Sequence, residues 1–340
     1  SVNATIRYDG SNLMGKSKTA RWLPTWNVSG AWNMDQETFW PENDYITAAR
    51  IRATYGLVAN LGRNASAPAV FYNEIARRRF ENEQENLTYI STLANQELTW
   101  EKLNETNLGF DLSFIKDRIN LTVDLYKRNS YDLIGTVRTS GIGGQFVKTA
   151  NYAEMKARGL ELTVAGNPIQ KDKFQWRTQF NMAFNKNEIT RIENKPRIFD
   201  VVDDNGGALL GRTQAGLYSI QFAGLDPTYG YPYYIDNSGT KNTYLNLQST
   251  ALNYLKYEGT IDPTFTGGFY NQFKYNNFSL SVLFTFAAGN VIRLPQAFSA
   301  TYPDIYAMTQ SMVNRWVKPG DEAFTNVPSL LDSWSANRVV

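Results

Sequence analysis

The 340-residue chain contains no cysteine and no histidine. Without cysteine, these residues can form no disulfide, thiol nucleophile or Cys-zinc site. Without histidine, the commonest general base and the commonest metal ligand are missing, and a Ser-His-Asp triad cannot be assembled. An enzymatic reading is left with carboxylate pairs alone, and neither an enzyme nor a bound cofactor is expected. Charge of either sign is also scarce in excess: Lys+Arg 34 against Asp+Glu 32 leaves +2, too balanced to signal a nucleic-acid or polyanionic partner. The densest basic run, Arg77-Arg78-Arg79, sits among Glu74, Glu81, Glu83 and Glu85 and reads as a solvated, near-neutral surface. No apolar run approaches the ~20 residues that a membrane-spanning helix needs. The chain opens at Ser1 already inside a strand-like pattern and stops at "SANRVV", and it is expected to be an internal piece of a longer protein.

What is present in quantity is aromatic: 20 Tyr, 19 Phe and 8 Trp, together with 24 Gly. Aromatic side chains favour strands, while Gly and Asn mark turns, so the mixture predicts an all-β chain with many connections. Nine segments alternate with the period of a strand. They are Val2 to Tyr8, Trp22 to Trp32, Tyr45 to Tyr55, Leu108 to Phe114 (with a start near Trp100), the stretch after Arg118, Arg158 to Ala165, Phe174 to Asn185, Thr266 to Tyr275 and Phe278 to Phe286. The fifth shows the pattern best: Ile119, Leu121, Val123 and Leu125 point one way, and Asn120, Thr122 and Asp124 the other.

From the fourth strand onward, short connections alternate with long ones. Turns are expected near Lys116-Asp117, within 167–172 and at Asn276-Asn277. The gaps 56–100, 129–156, 187–263 and 289 to the end are long, and the gap between the second and third strands is intermediate. A transmembrane antiparallel β-barrel has this asymmetry, with short turns at one rim and long loops at the other. Several strands also reach the ~9–11 residues needed to cross a bilayer at a tilt. The expectation is therefore lipid against Leu121, Val123, Leu160, Leu162, Phe180 and Phe284. A wet lumen is expected against Asn120, Thr122, Glu161, Asn181 and Ser281. Trp22, Trp26, Phe174 and Trp176 near strand ends fit interfacial aromatic girdles.

These residues resemble the SusC family of TonB-dependent outer-membrane transporters of Bacteroidetes. The matching stretches are "RYDGS" (Arg7 to Ser11), "RATYGLVAN" (Arg52 to Asn60, with Ala59 where glycine is usual), "NQELTWE" (Asn95 to Glu101), "NLGFDLSF", "DLYKRNSYDLI", "RGLELTV" (Arg158 to Val164), "AGLDPTYGYPYYIDNSG", "DPTFTGGFYNQFKYNNFSLSVLFTFAAGN" and "RWVKPGD" (Arg315 to Asp321). They cover nearly the whole chain in family order. The resemblance implies that residues 1–340 are a C-terminal-side portion of a barrel of about 22 strands, with long external loops at 57–98, 130–155, 187–262 and 291–340. It implies a plug domain and final strands outside these residues. It also implies TonB-dependent import of oligosaccharides or peptides across the outer membrane of a Gram-negative bacterium. The partners it implies are a SusD-like surface lipoprotein as lid, TonB acting through the absent N-terminal part, and the lipid bilayer. The alternative from the residues alone is a soluble, secreted carbohydrate-binding or adhesin β-domain.

No motif names a substrate. Tyr229, Tyr231, Tyr233 and Tyr234 crowd one long loop and are the candidates for stacking on sugar rings or peptide side chains; packing within the loop is the plainer reading. Asp236-Asn237-Ser238-Gly239 has the flavour of a calcium loop but lacks the downstream bidentate Glu, and it reads as an Asx-type turn, with no metal site expected. Glu97 with Glu101 and Asp203 with Asp204 are carboxylate pairs of a kind common in loops.

Overall fold

The computed structural model describes residues 1–41, 45–62, 65–77, 84–142, 146–294 and 310–329; Arg78 and Arg79 of the basic run lie outside the described residues. In chain order the strands are β1 Val2–Gly10, β2 Trp22–Asn33, β3 Ile46–Asn60, β4 Val70–Arg77, β5 Gln84–Thr92, β6 Glu101–Phe114, β7 Ile119–Arg138, β8 Val147–Gln170, β9 Phe174–Ile192, β10 Gly216–Ser219, β11 Phe222–Leu225, β12 Pro232–Ile235, β13 Lys241–Asn242, β14 Lys256–Thr260, β15 Phe265–Tyr275 and β16 Phe278–Ala288. The chain divides into two units. One comprises Ser1–Asn194, Leu210–Arg212 and Thr264–Ala288; the other comprises Lys195–Leu209, Thr213–Pro263 and Gly289–Val340.

The first unit is built on one antiparallel sheet of nine strands, in the order β1-β2-β3-β6-β7-β8-β9-β15-β16. Each wall strand pairs with the next wall strand in the chain. All nine expected strands are present; β7 and β8 run deep into the segment 130–155, and β9 extends to Ile192, a few residues into 187–262. The register fixes the faces. Leu112↔Leu121↔Val164↔Phe180↔Phe269↔Phe284 is one row of register partners, and Arg52↔Gly109↔Asp124↔Glu161 is another. Side chains alternate along a strand, so these rows lie on opposite faces. One face carries an apolar belt across all nine strands, from Val2 and Ile6 to Phe278 and Phe284. Its side chains stay exposed at 80%, 76%, 80% and 62% respectively. The other face is polar apart from isolated residues such as Leu283 on β16.

The short turns obey simple rules. Tyr275 faces Phe278 across Asn276-Asn277, and Asn276 adopts a positive φ of 51°, a conformation Asn tolerates better than most residues. Aromatic pairs gather toward both ends of the belt. Tyr8 stacks on Trp22 (5.4 Å) toward the long-connection end, and Trp176 stacks on Phe273 (5.9 Å) toward the turns. Asn271 is a buried polar residue on the apolar face; its Oδ1 accepts a hydrogen bond from Trp176 Nε1 at 3.0 Å. That bond removes the penalty of an unmatched amide oxygen in oil.

Two long connections carry structure of their own. Residues between β3 and β6 form the β4–β5 hairpin. Met14, Leu23, Ala65, Ala67, Leu98 and Trp100 make a small core within the first unit. The second unit has a separate core of Ile198, Val201, Val202 and Tyr218, backed by Leu247, Leu252 and Leu255. It contains the pair β10–β14 and the three-stranded sheet β11-β12-β13.

Candidate functional site

The polar face of the nine-stranded sheet is organised around ion pairs. Arg52 on β3 donates from Nε to Asp111 Oδ2 (2.7 Å) and from Nη2 to Asp111 Oδ1 (3.1 Å), and Nη2 also reaches Asp124 Oδ2 (3.2 Å). Strands β3, β6 and β7 place the three side chains together because Gly109 stands between them. A Cβ at Gly109 would come within 2.6 Å of the Arg52 guanidinium carbon. Farther along the same face, Arg128 Nε donates to Glu105 Oε2 (2.9 Å), and its guanidinium lies 4.3 Å over the Tyr126 ring. Tyr126 is buried against Gly159, where a Cβ would meet the ring at 2.3 Å. This face is wet, charged and held in place by bidentate and stacked contacts that arginine makes and lysine cannot. The sequence puts Arg52, Asp111 and Asp124 on polar strand faces, yet gives no sign that they meet. The only local hint is a glycine in mid-strand, which often marks the close approach of another group.

The four loop tyrosines do not form one surface. Tyr229 is exposed and stacks on Tyr231 at 5.6 Å. Tyr233 donates its hydroxyl hydrogen bond to Asp226 Oδ1 at 3.0 Å, and that bond pushes its pKa up. Tyr234 on β12 is buried, and burial pushes its phenol up to about 12. Asp226 also accepts the Tyr229 backbone N–H at Oδ2 (2.7 Å), so one carboxylate shapes the turn that presents the stacked pair. Ser329 ties the segment 310–329 to this turn through its hydroxyl, which donates to the Tyr229 carbonyl at 2.7 Å.

Asp236, Glu101, Asp203 and Asp204, considered for other chemistry, have structural work. Asp236 Oδ1 accepts from the Ser238 hydroxyl (2.6 Å) and backbone N–H (2.9 Å), and Oδ2 accepts from the Thr240 hydroxyl (3.0 Å). The Ser238 hydroxyl, then the backbone donors and Thr240, hold this carboxyl at about 2. That is an Asx turn, as expected from its sequence. Glu101 accepts from Asn60 Nδ2 and from the Ile134 N–H, both at 2.9 Å. Asp203 caps Asn205, and Asp204 pairs with Arg293 at 3.1 Å. No group of three or more His, Cys, Asp or Glu among the described residues is arranged to hold a metal ion.

Comparison with known proteins accounts for the two faces. A family model described as TonB dependent receptor-like, beta-barrel, matches residues 1–271. TonB-dependent receptor P39 of Formosa agariphila is 27% identical over 99% of this chain and 36% of its own length. TonB-dependent receptor SusC of Bacteroides thetaiotaomicron is 30% identical over 55% of this chain and 19% of its own length. The fold also matches the solved RagAB peptide transporter, with a TM-score of 0.76 and 21% identity, covering 97% of this chain and 36% of that one. The chain thus spans about a third of the length of the receptor P39. Its nine strands are a stretch of transmembrane barrel wall, with the apolar belt toward lipid and the ion-paired face toward the lumen. The chain belongs to the TonB-dependent receptor β-barrel family.

Proposed function

We propose that this chain is wall and loops of an importer that carries oligosaccharides or peptides across the outer membrane of a Gram-negative bacterium. The work is transport rather than catalysis. A SusD-like surface lipoprotein covers the long connections, which are external, and TonB acts through a plug that lies outside these residues. The observation that supports this reading best is the sheet itself, whose exposed apolar belt backs a polar face cross-linked by Arg52, Asp111 and Asp124. A soluble adhesin domain would cover such a belt rather than expose it. The structured connections suit a gate more than a simple pore, because loops of this length with their own cores usually have a folded purpose. The stacked pair Tyr229 and Tyr231, held out by Asp226, is the first candidate for cargo contact.

The test is uptake of fluorescent oligosaccharides and oligopeptides by cells carrying the full-length receptor. Uptake of one class should stop when the proton gradient is collapsed, and should fall several-fold in Tyr229→Ala/Tyr231→Ala. Import that continues in uncoupled cells would overturn the energised mechanism.

A further inference from the structure

Just beyond the apolar belt, on the same face and toward the long connections, three cations stand side by side. Lys127 on β7 is the register partner of Arg158 on β8, and Arg158 is the register partner of Lys186 on β9. All three are exposed. No described carboxylate forms an ion pair with any of them. The nearest acid on this face in the adjoining row is Glu188, which is itself the register partner of Lys156. Like charges directly opposite one another on neighbouring strands destabilise a sheet. On the polar face the same strands solve that problem with carboxylates; here they do not.

Directly toward the belt lies a groove of about 440 Å³, lined by Leu108, Leu125, Leu160 and Phe184, with Lys127 and Arg158 at its rim. Oil below and unpaired positive charge above is the profile of an amphiphile with an anionic head. It lies where the wall passes from hydrocarbon to headgroups, a boundary at which long basic side chains extend along apolar surface to reach phosphate. Arg158 adds the planar donor set that binds phosphate in two places at once. We propose that Lys127, Arg158 and Lys186 bind the phosphorylated headgroup of a membrane lipid, one of whose acyl chains lies in the groove. The site is on the outside of the wall and is independent of the cargo.

The test uses full-length receptor, purified in detergent and delipidated. Native mass spectrometry would follow binding of bisphosphorylated lipid A, the same lipid with its phosphates removed, and inorganic phosphate alone. The wild type should prefer the phosphorylated lipid at least tenfold over the dephosphorylated one. Lys127→Gln/Arg158→Gln/Lys186→Gln should erase that preference and leave weak binding of the apolar chains. Lys127→Arg/Lys186→Arg should retain it. The heat-shifted band of folded barrel on SDS gels controls for folding, and single Arg158→Gln serves where the triple variant fails to fold. Equal binding of the two lipids, or unchanged preference in the neutralised variants, would overturn the site. Inorganic phosphate binding as tightly as the lipid would make it a free-anion site and overturn the lipid assignment.

Discussion

The face assignment can be tested at two adjacent residues. Val123 sits within the apolar run Ile119 to Leu125, between its register partners Phe110 and Leu162. Successive belt positions on a strand are about 7 Å apart, so Val123 lies near the middle of the hydrocarbon. Thr122 points the other way, between Asp111 and Thr163, with Asp124 two residues along the same face. An arginine on the lipid face near the midplane costs about 2–4 kcal/mol. Since about 1.4 kcal/mol is a factor of ten, Val123→Arg should lower the folding equilibrium constant about 30- to 900-fold. Thr122→Arg meets two carboxylates and water instead, and should stay within about 0.5 kcal/mol of wild type. Full-length receptor refolded into phosphocholine vesicles and titrated with guanidinium, followed by tryptophan fluorescence, would give both values. The denaturant slope should be unchanged, so that midpoint shifts report stability. Equal losses, or a larger loss at 122, would refute the assignment of lipid and lumen.

Four further outcomes follow from the geometry. Gly159→Ala should destabilise by about 1–3 kcal/mol, because its Cβ meets both the Tyr126 ring and, at 2.6 Å, the Phe184 carbonyl; adding Tyr126→Ala should relieve only part of the loss in a double-mutant cycle. Arg52→Lys should behave more like Arg52→Gln than like wild type in the same titration, since one ammonium nitrogen lacks the planar fork that spans both oxygens of Asp111 and also reaches Asp124. Tyr234 has a raised folded pKa of about 12, so its stabilising contribution is intact below pH ~10 and is lost as pH climbs toward 12; tyrosinate absorbance should show one fewer late-titrating phenol in Tyr234→Phe than in wild type. Asp236 shows the opposite sign, its depressed pKa making the Ser238–Thr240 turn persist until pH falls toward about 2; protease nicking of this loop should rise only there, and at every pH in Asp236→Ala.

Strand identity was legible because each wall strand has one oily and one wet side, and period-two alternation records that contrast. Strand ends were not. In β7 the apolar–polar alternation from Ile119 ends at Leu125, and beyond Ser130 the register shifts and Asp132 takes a positive φ of 55°. Two opposite register shifts, between Ser130 and Leu133 and between Leu133 and Ile134, interrupt the ladder here, and the residues beyond them lack strict apolar–polar alternation, so "YDLIGTVR" reads as loop although it is paired strand. The strands of the second unit are only two to five residues long, too short for periodicity to register. The ion-paired cluster was hidden for another reason: Arg52 lies 59 positions from Asp111 and 72 from Asp124, and only register brings them together. For the tyrosines the sequence misled by proximity. Residues 229 to 234 are neighbours along the chain, yet a tight turn and an adjoining strand give them separate environments.

In the wall, Asn60 and Glu101 are register partners although a complete hairpin lies between them, and Phe184 and Phe265 are partners across most of the second unit. The ladder therefore takes no account of what its connections contain. Lengthening a closed connection raises its entropic penalty only logarithmically, by about 0.6 kcal/mol per doubling. Descendants of such a gene could exchange whole connections between wall strands while every wall pairing stayed as it was. Diversity in this lineage should then be concentrated in residues 61–100 and 193–264, with the strands between them changing slowly under the demands of oil and water.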